Sequence, residues 1–222
     1  PWLVKFQARG EHKEVCAVEH VYAHMARACD IDVPETAYFD LSAKIAAFGI
    51  ARFDREAKMR VPIHSLAGLL HADFRLPSLD YTSFLRATRL LTRDEREIKK
   101  AFTRAVFNVV CHNRDDHAKN FAYRLGSDRR WCLAPAYDLT FSDGPAGEHQ
   151  TDVCGEAKNI TRAHLLALAA QSDIDKAFAG SVIDSVLEQS KKFRDWASDY
   201  PIRGATIKRI TSVIDNCRKA VG

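Results

Sequence analysis

Apolar and polar positions recur along this chain with two different periods, and the changes between them outline its elements. Residues 3–6 are short and apolar enough for a strand. Over residues 11–28, Val15, Val18, Tyr22, Met25 and Ala26 recur at spacings of three and four, which predicts an amphipathic helix ended by the stretch 30–34. Residues 36–41 and 44–53, rich in Tyr, Phe and Ile, predict two strands with a turn at 41–43. Between 54 and 91, Pro62, Gly68 and Pro77 interrupt the pattern and leave only brief helices near 63–70 and 81–88. Ile98, Phe102, Ala105, Val106 and Val109 then form a helical stripe, with Asp94, Glu95 and Glu97 at its positive end. Residues 121–125 and 131–133 predict a hairpin turned by 126–130. A loop rich in Gly, Pro and Asp covers 142–155, and helical patterns over 161–170, 174–197 and 205–219 finish the chain. The order is mixed α/β first and helical later, a helical body with one inserted polar loop and hairpin.

Composition narrows the class. The 222 residues are 46% hydrophobic and 28% charged, as in a folded globular protein of one large or two small domains. The net charge of +4 tolerates polyanionic partners without predicting them. The basic residues at 129–130, 191–192 and 203–209 are interleaved with acidic ones, the pattern of a solvated charged face. No apolar run is long enough to span a membrane, and no membrane association is expected. Six dispersed cysteines without CxxC spacing predict free thiols and a cytoplasmic setting. The opening PWLVKF has no signal-peptide pattern and already reads as a strand, so the chain is expected to begin inside a longer fold.

The segment Cys111-His112-Asn113-Arg114-Asp115-Asp116-His117-Ala118-Lys119-Asn120 is a polar island between an apolar helix and an apolar strand. Rigid elements on both sides hold such a loop where reactive groups are useful. The hairpin that follows folds back, so Asp138 is expected to approach Asp115 and Asn120. Two carboxylates and an amide form a hard oxygen environment suited to Mg²⁺ and phosphate oxygens. The remaining carboxylate orients or accepts the proton of an attacking hydroxyl, and Lys119 adds positive charge where a phosphoryl group develops negative charge. His117 reads chiefly as a hydrogen-bonded organiser of the loop; the plainer alternatives are that Asp116 and Lys119 are solvated loop residues and that Asp115 and Asn120 cap or turn the loop backbone. A zinc site from Cys111, His112 and His117 lacks a recognised ligand spacing.

These residues resemble a known family. NRDDHAKNFAYRL and, after the turn, WCLAPAYDLTFS are similar to the kinase region of the HipA family, the toxin kinases of bacterial toxin–antitoxin pairs. Residues 115–121 match its D-x-H-x-K-N-F/L motif, and 133–138 its L-x-P-x-Y-D motif. Upstream, Val4-Lys5-Phe6 resembles the strand with the nucleotide-phosphate lysine. Glu19 matches the glutamate of the following helix, and Ala51-Arg52-Phe53-Asp54-Arg55 the hinge-like segment, with Ala51 where the family has glutamate.

The resemblance implies an α+β, protein-kinase-like fold, with a small, partial β-rich N-terminal lobe (1–56) before a mainly helical C-terminal lobe (57–222) carrying the catalytic loop 112–120 and a β-hairpin. It implies an ATP- and Mg²⁺-dependent serine/threonine protein kinase. Asp115 would serve the acceptor hydroxyl, with His117 and Lys119 beside it. Asn120 and Asp138 would hold Mg²⁺, Lys5 the nucleotide phosphates, and Arg52 and Phe53 the nucleotide at the hinge. The implied partners are a protein substrate and an antitoxin, with DNA association through the latter. A small-molecule phosphotransferase and a non-catalytic antitoxin-binding module are the competing readings. Family members extend roughly a further 150 residues upstream, with a segment over the phosphates; a cut within a longer protein, a partner chain supplying those strands and a degenerate relative are the three accounts of their absence here.

Overall fold

The structure, a computed structural model, describes residues 1–57, 59–72 and 79–222; the predicted break at Pro77 lies outside them. It opens with a three-stranded antiparallel sheet in the order β1-β3-β2, made of β1 (Trp2–Phe6), β2 (Thr36–Asp40) and β3 (Ala46–Ala51). Register puts Lys5 opposite Phe48 and Val4 opposite Gly49. At Gly49 two rings close over the strand: a Cβ would lie 2.9 Å from Phe39 Cε2 and 3.3 Å from Trp2 Cε3. The β2–β3 turn is closed by Leu41 and Ser42 amides on Ile45 O.

Helix α1 (Glu14–Ala28) follows β1 and starts three residues later than its apolar spacing predicts. The chain first makes a turn at left-handed Gly10, closed by the Glu11 amide on Ala8 O. The helix has two partners. Cys16 packs with Ala46, Phe48 and Ile50 beneath the sheet, whereas Val18, Val21, Tyr22, Met25 and Ala26 enter the main core. Tyr22 stacks edge-on against Phe107 and Phe193, and its hydroxyl donates to Cys111 O at 2.7 Å. One such ring removed from water contributes roughly 1.5–3 kcal/mol, so α1 is held chiefly by the helical body.

That body is built on α4 (Glu95–Val110), N-capped by Asp94. Its predicted stripe widens until Ala105, Val106, Phe107, Val109 and Val110 are all buried, the pattern of a central helix. Around it lie α3 (Tyr81–Thr92), α5 (Arg162–Gln171), α6 (Lys176–Ser190), α7 (Phe193–Ser198) and α8 (Gly204–Val221). Two predictions need correction. Residues 63–70 are a strand followed by a single helical turn, β6 (Ile63–Ser65) and α2 (Leu66–Leu69), because Ile63–Ser65 find hydrogen-bonding partners on β7 (Ala122–Leu125). With β8 (Trp131–Leu133) they complete a sheet in the order β6-β7-β8. Residues 174–197 form two helices. The apolar spacing runs on through Ile183, Val186, Phe193 and Ala197, but the amides of Lys191 and Lys192 bond three residues back and turn the chain. A small hairpin, β4 (Arg55–Glu56) with β5 (Met59–Arg60), was not predicted. All six cysteines are free.

Candidate active site

Strand alternation puts Trp2, Val4 and Phe6 on one face of β1 and Leu3 and Lys5 on the other, lining a cleft of about 260 Å³. Lys5 Nζ lies 2.7 Å from Glu19 Oε1 and 2.5 Å from Asp138 Oδ1. Three elements that are far apart in sequence therefore meet at one ammonium. Burial lowers the Lys5 pKa, but the charges of Glu19 and Asp138 outweigh it and leave a net rise. Burial raises the Glu19 pKa against the pull of Lys5. An ammonium between two carboxylates keeps its proton. Asp138 has φ of 58°, a left-handed conformation that Asp tolerates better than most residues.

The cleft continues along the end of β3 through Ile50, Ala51, Arg52, Phe53 and Asp54. The amides of Ala51 and Arg52 donate to Glu35 O and Pro1 O. The Phe53 and Tyr137 rings, 5.6 Å apart, supply the apolar wall. Arg52 lines the cleft, but its guanidinium forks onto Asp54 through Nε at 2.8 Å and Nη2 at 2.5 Å.

The polar loop is organised by Asp116. This side chain is fully buried, which overturns its reading as a solvated loop residue. Its Oδ2 accepts from Tyr81 Oη at 2.8 Å and His149 Nδ1 at 2.7 Å, and its Oδ1 accepts from the amides of Gln150 at 2.8 Å and Thr151 at 3.4 Å. Asn108 extends the web by donating to Tyr81 Oη and accepting from Asn113 Nδ2. Asp115, half-exposed beside it, accepts from Gln150 Nε2 at 2.9 Å and has His117 Nε2 at 3.7 Å. Asn120 Nδ2 donates to Asp115 O at 2.7 Å. Tyr137 Oη donates to Lys119 O at 2.5 Å, tying the segment before Asp138 to the residue before Asn120.

The predicted residues thus fall into two groups. Lys5, Arg52, Phe53 and Asp138 share the cleft, while Asp115, His117, Lys119 and Asn120 share the loop. Among the described residues no hydrogen bond joins Asp138 directly to Asp115 or Asn120; Tyr137 is the link. No cluster of three or more His, Cys, Asp or Glu able to hold a metal occurs among the described residues. A donor set of one carboxylate, one side-chain amide oxygen and the oxygens of a phosphate chain has the hard-oxygen chemistry that Mg²⁺ takes with few protein ligands. Spacing alone missed Tyr81, His149 and Gln150, which lie 33 to 35 residues from the loop carboxylates they contact.

The family model for the HipA-like C-terminal domain matches residues 1–193. In the solved complex of the toxin–antitoxin system of Shewanella oneidensis MR-1, comprising HipA, HipB and operator DNA, the similar chain superposes with a TM-score of 0.80 at 14% identity. That match covers 99% of this chain and 58% of the other. The Helicobacter pylori proinflammatory kinase CtkA is also similar, with a TM-score of 0.68 at 13% identity over 99% of this chain and 87% of that one. The chain therefore spans less than two thirds of the first and most of the second. No curated protein sequence matches. The superpositions establish the α+β, protein-kinase-like fold.

Proposed function

Since this chain belongs to the HipA-like C-terminal domain family, we propose that it is the kinase region of a HipA-type enzyme that transfers the γ-phosphate of ATP to a serine or threonine hydroxyl of a protein. The observation that carries this reading is the convergence of Lys5, Glu19 and Asp138 at one end of a cleft whose other wall is Phe53 and Tyr137. A triphosphate in that cleft would take over Asp138's place on the Lys5 ammonium, while Glu19 keeps the lysine aimed. Asn120 and Asp138 would hold Mg²⁺, which supplies charge neutralisation between the phosphates. Asp115, held by Gln150 and close to His117, would orient the acceptor hydroxyl and take its proton. Lys119 and His117 would serve beside it as neighbouring charge and organiser. Arg52 would act mainly by fixing the hinge through Asp54.

In this reading residues 1–56 form the small lobe and 57–222 the large lobe. The Shewanella HipA was solved with HipB and operator DNA; by analogy the present protein would bind an antitoxin and reach DNA through it. Six free thiols suit a cytoplasmic setting, and no described helix is long and apolar enough to cross a membrane.

Calorimetric titration with ATP, with and without Mg²⁺, tests the cleft. Asp138→Asn should abolish the magnesium-dependent part of the binding, and Lys5→Met should weaken ATP by about tenfold or more, the loss of one charge-assisted contact. Equal binding by wild type and both variants would refute the assignment. Phosphate transfer to protein that is unchanged in Asp115→Asn would remove Asp115 from the chemistry.

A further inference from the structure

A second cavity, about 340 Å³, shares no lining residue with the nucleotide cleft. It opens where α4 ends, where the 142–161 loop returns and along the face of α8 that carries Val213, Cys217 and Ala220. Its size is that of a small-molecule site, and its mixture of apolar wall and few charged groups is typical of one. Arg114 and Lys158 line it, and among the described residues no Asp or Glu does. Arg114 donates Nη1 to Gly147 O and Nη2 to Lys158 O, yet its buried Nε has no partner among the described residues. Among the described residues no carboxylate pairs with this guanidinium, so its charge at the cavity is not offset by an ion pair.

The nearby carboxylates do not meet that need. Asp116 is committed to Tyr81, His149 and two backbone amides. Asp143 is paired with Arg209 and faces His112 Nε2 at 3.4 Å. The buried His149, whose Nδ1 is fixed on Asp116, adds a further polar ring to the lining. Two uncompensated cations match a dianion, and the apolar α8 face matches an apolar substituent on it.

We propose that this cavity is a binding site for a small phosphate monoester bearing an apolar group, acting on the loop from behind. Arg114 is the peptide neighbour of Asp115, and His149 holds Asp116, so an occupant contacting either would set the loop's position. Gly144 shows how closely the loop is shaped around Arg114: with φ of 68°, a Cβ there would lie 2.8 Å from Arg114 Cβ and still closer to Glu148 O. The binding claim stands apart from the kinase reading; only the effect on transfer rests on it.

The test is calorimetric titration with phenyl phosphate, with inorganic phosphate as the probe lacking the apolar group. Wild type should bind phenyl phosphate saturably with Kd of about 1 mM or tighter and inorganic phosphate more weakly. Lys158→Gln removes a charge from an exposed side chain, and Ala220→Trp fills the cavity from the end of α8. Each should weaken phenyl phosphate at least tenfold, whereas Lys5→Met and Asp138→Asn, which address the nucleotide cleft, should leave it unchanged. Absence of saturable binding, wild-type affinity in both Lys158→Gln and Ala220→Trp, or loss of binding in Lys5→Met would overturn the proposal. The last result would assign the phenyl phosphate to the nucleotide cleft.

Discussion

Replacing Asp116 by Asn tests the internal order of the polar loop at its most buried point. The carboxylate has no solvent exposure and receives four donors, two on each oxygen. An amide offers a single acceptor oxygen. If that oxygen stays with the Gln150 and Thr151 amides, the new NH₂ group faces Tyr81 Oη and His149 Nδ1. Tyr81 Oη already accepts from Asn108 Nδ2, which crowds the hydroxyl with donors. His149 can shift its tautomer to accept, so one contact is recovered and one is lost. A hydrogen bond to a charged group contributes about 1.5–3 kcal/mol, and a stranded buried donor costs about 1–3 kcal/mol. The expected loss for Asp116→Asn is therefore about 2.5–6 kcal/mol. At roughly 2–4 °C per kcal/mol for a chain of this size, Tm should fall by roughly 5–24 °C. Urea unfolding followed by circular dichroism gives the free energy directly. Asp184→Asn, at an exposed partner of Arg162, is the control and should stay within about 0.5 kcal/mol. A loss below about 1 kcal/mol for Asp116→Asn would refute the claim that this residue holds the loop together.

Other expectations concern different parts of the molecule. Burial holds the His20 and His112 pKa values down at about 4. As pH falls below 6.5 the unfolded chain takes up protons that the native rings resist, so stability is full above 6.5 and declines towards 4. Each ring costs the native state on the order of 1–2 kcal/mol after screening at its edges. The raised pKa of Glu19 acts in the opposite sense, and urea midpoints equal at pH 7.5 and 4.5 would contradict the net decline. Glu14, buried at the start of α1, accepts from the Arg203 amide and guanidinium and from Thr206 Oγ1, joining α1 to α8. Glu14→Ala should lower stability by about 2–4 kcal/mol in the same urea assay, and a loss under about 0.5 kcal/mol would show that this junction carries little. Gly144→Ala should disorder the 142–161 loop, because its new Cβ meets backbone in a left-handed conformation; amide hydrogen exchange of the loop unchanged from wild type would contradict that.

Local and periodic features were legible in the chain alone. The α4 stripe, the 131–133 strand and the boundaries of the polar loop were legible because residues within one turn or one strand share a face whatever surrounds them. The spacing of Asp115, Asn120 and Asp138 was legible too, and the resemblance to the HipA family supplied Lys5 and Glu19, which no periodicity marks. Tertiary structure alone decided the rest. Asp116 looks like any loop aspartate until Tyr81 and His149 close over it. Residues 63–65 become a strand only because β7 offers an edge, and the apolar rhythm through 174–197 conceals a turn at the two lysines. Arg114 and Lys158 acquire a shared cavity only when α8 packs across the loop. The reason is common to all of these: desolvation and hydrogen-bond satisfaction depend on which distant elements exclude water from a group, and contacts made at that range leave no period in the chain.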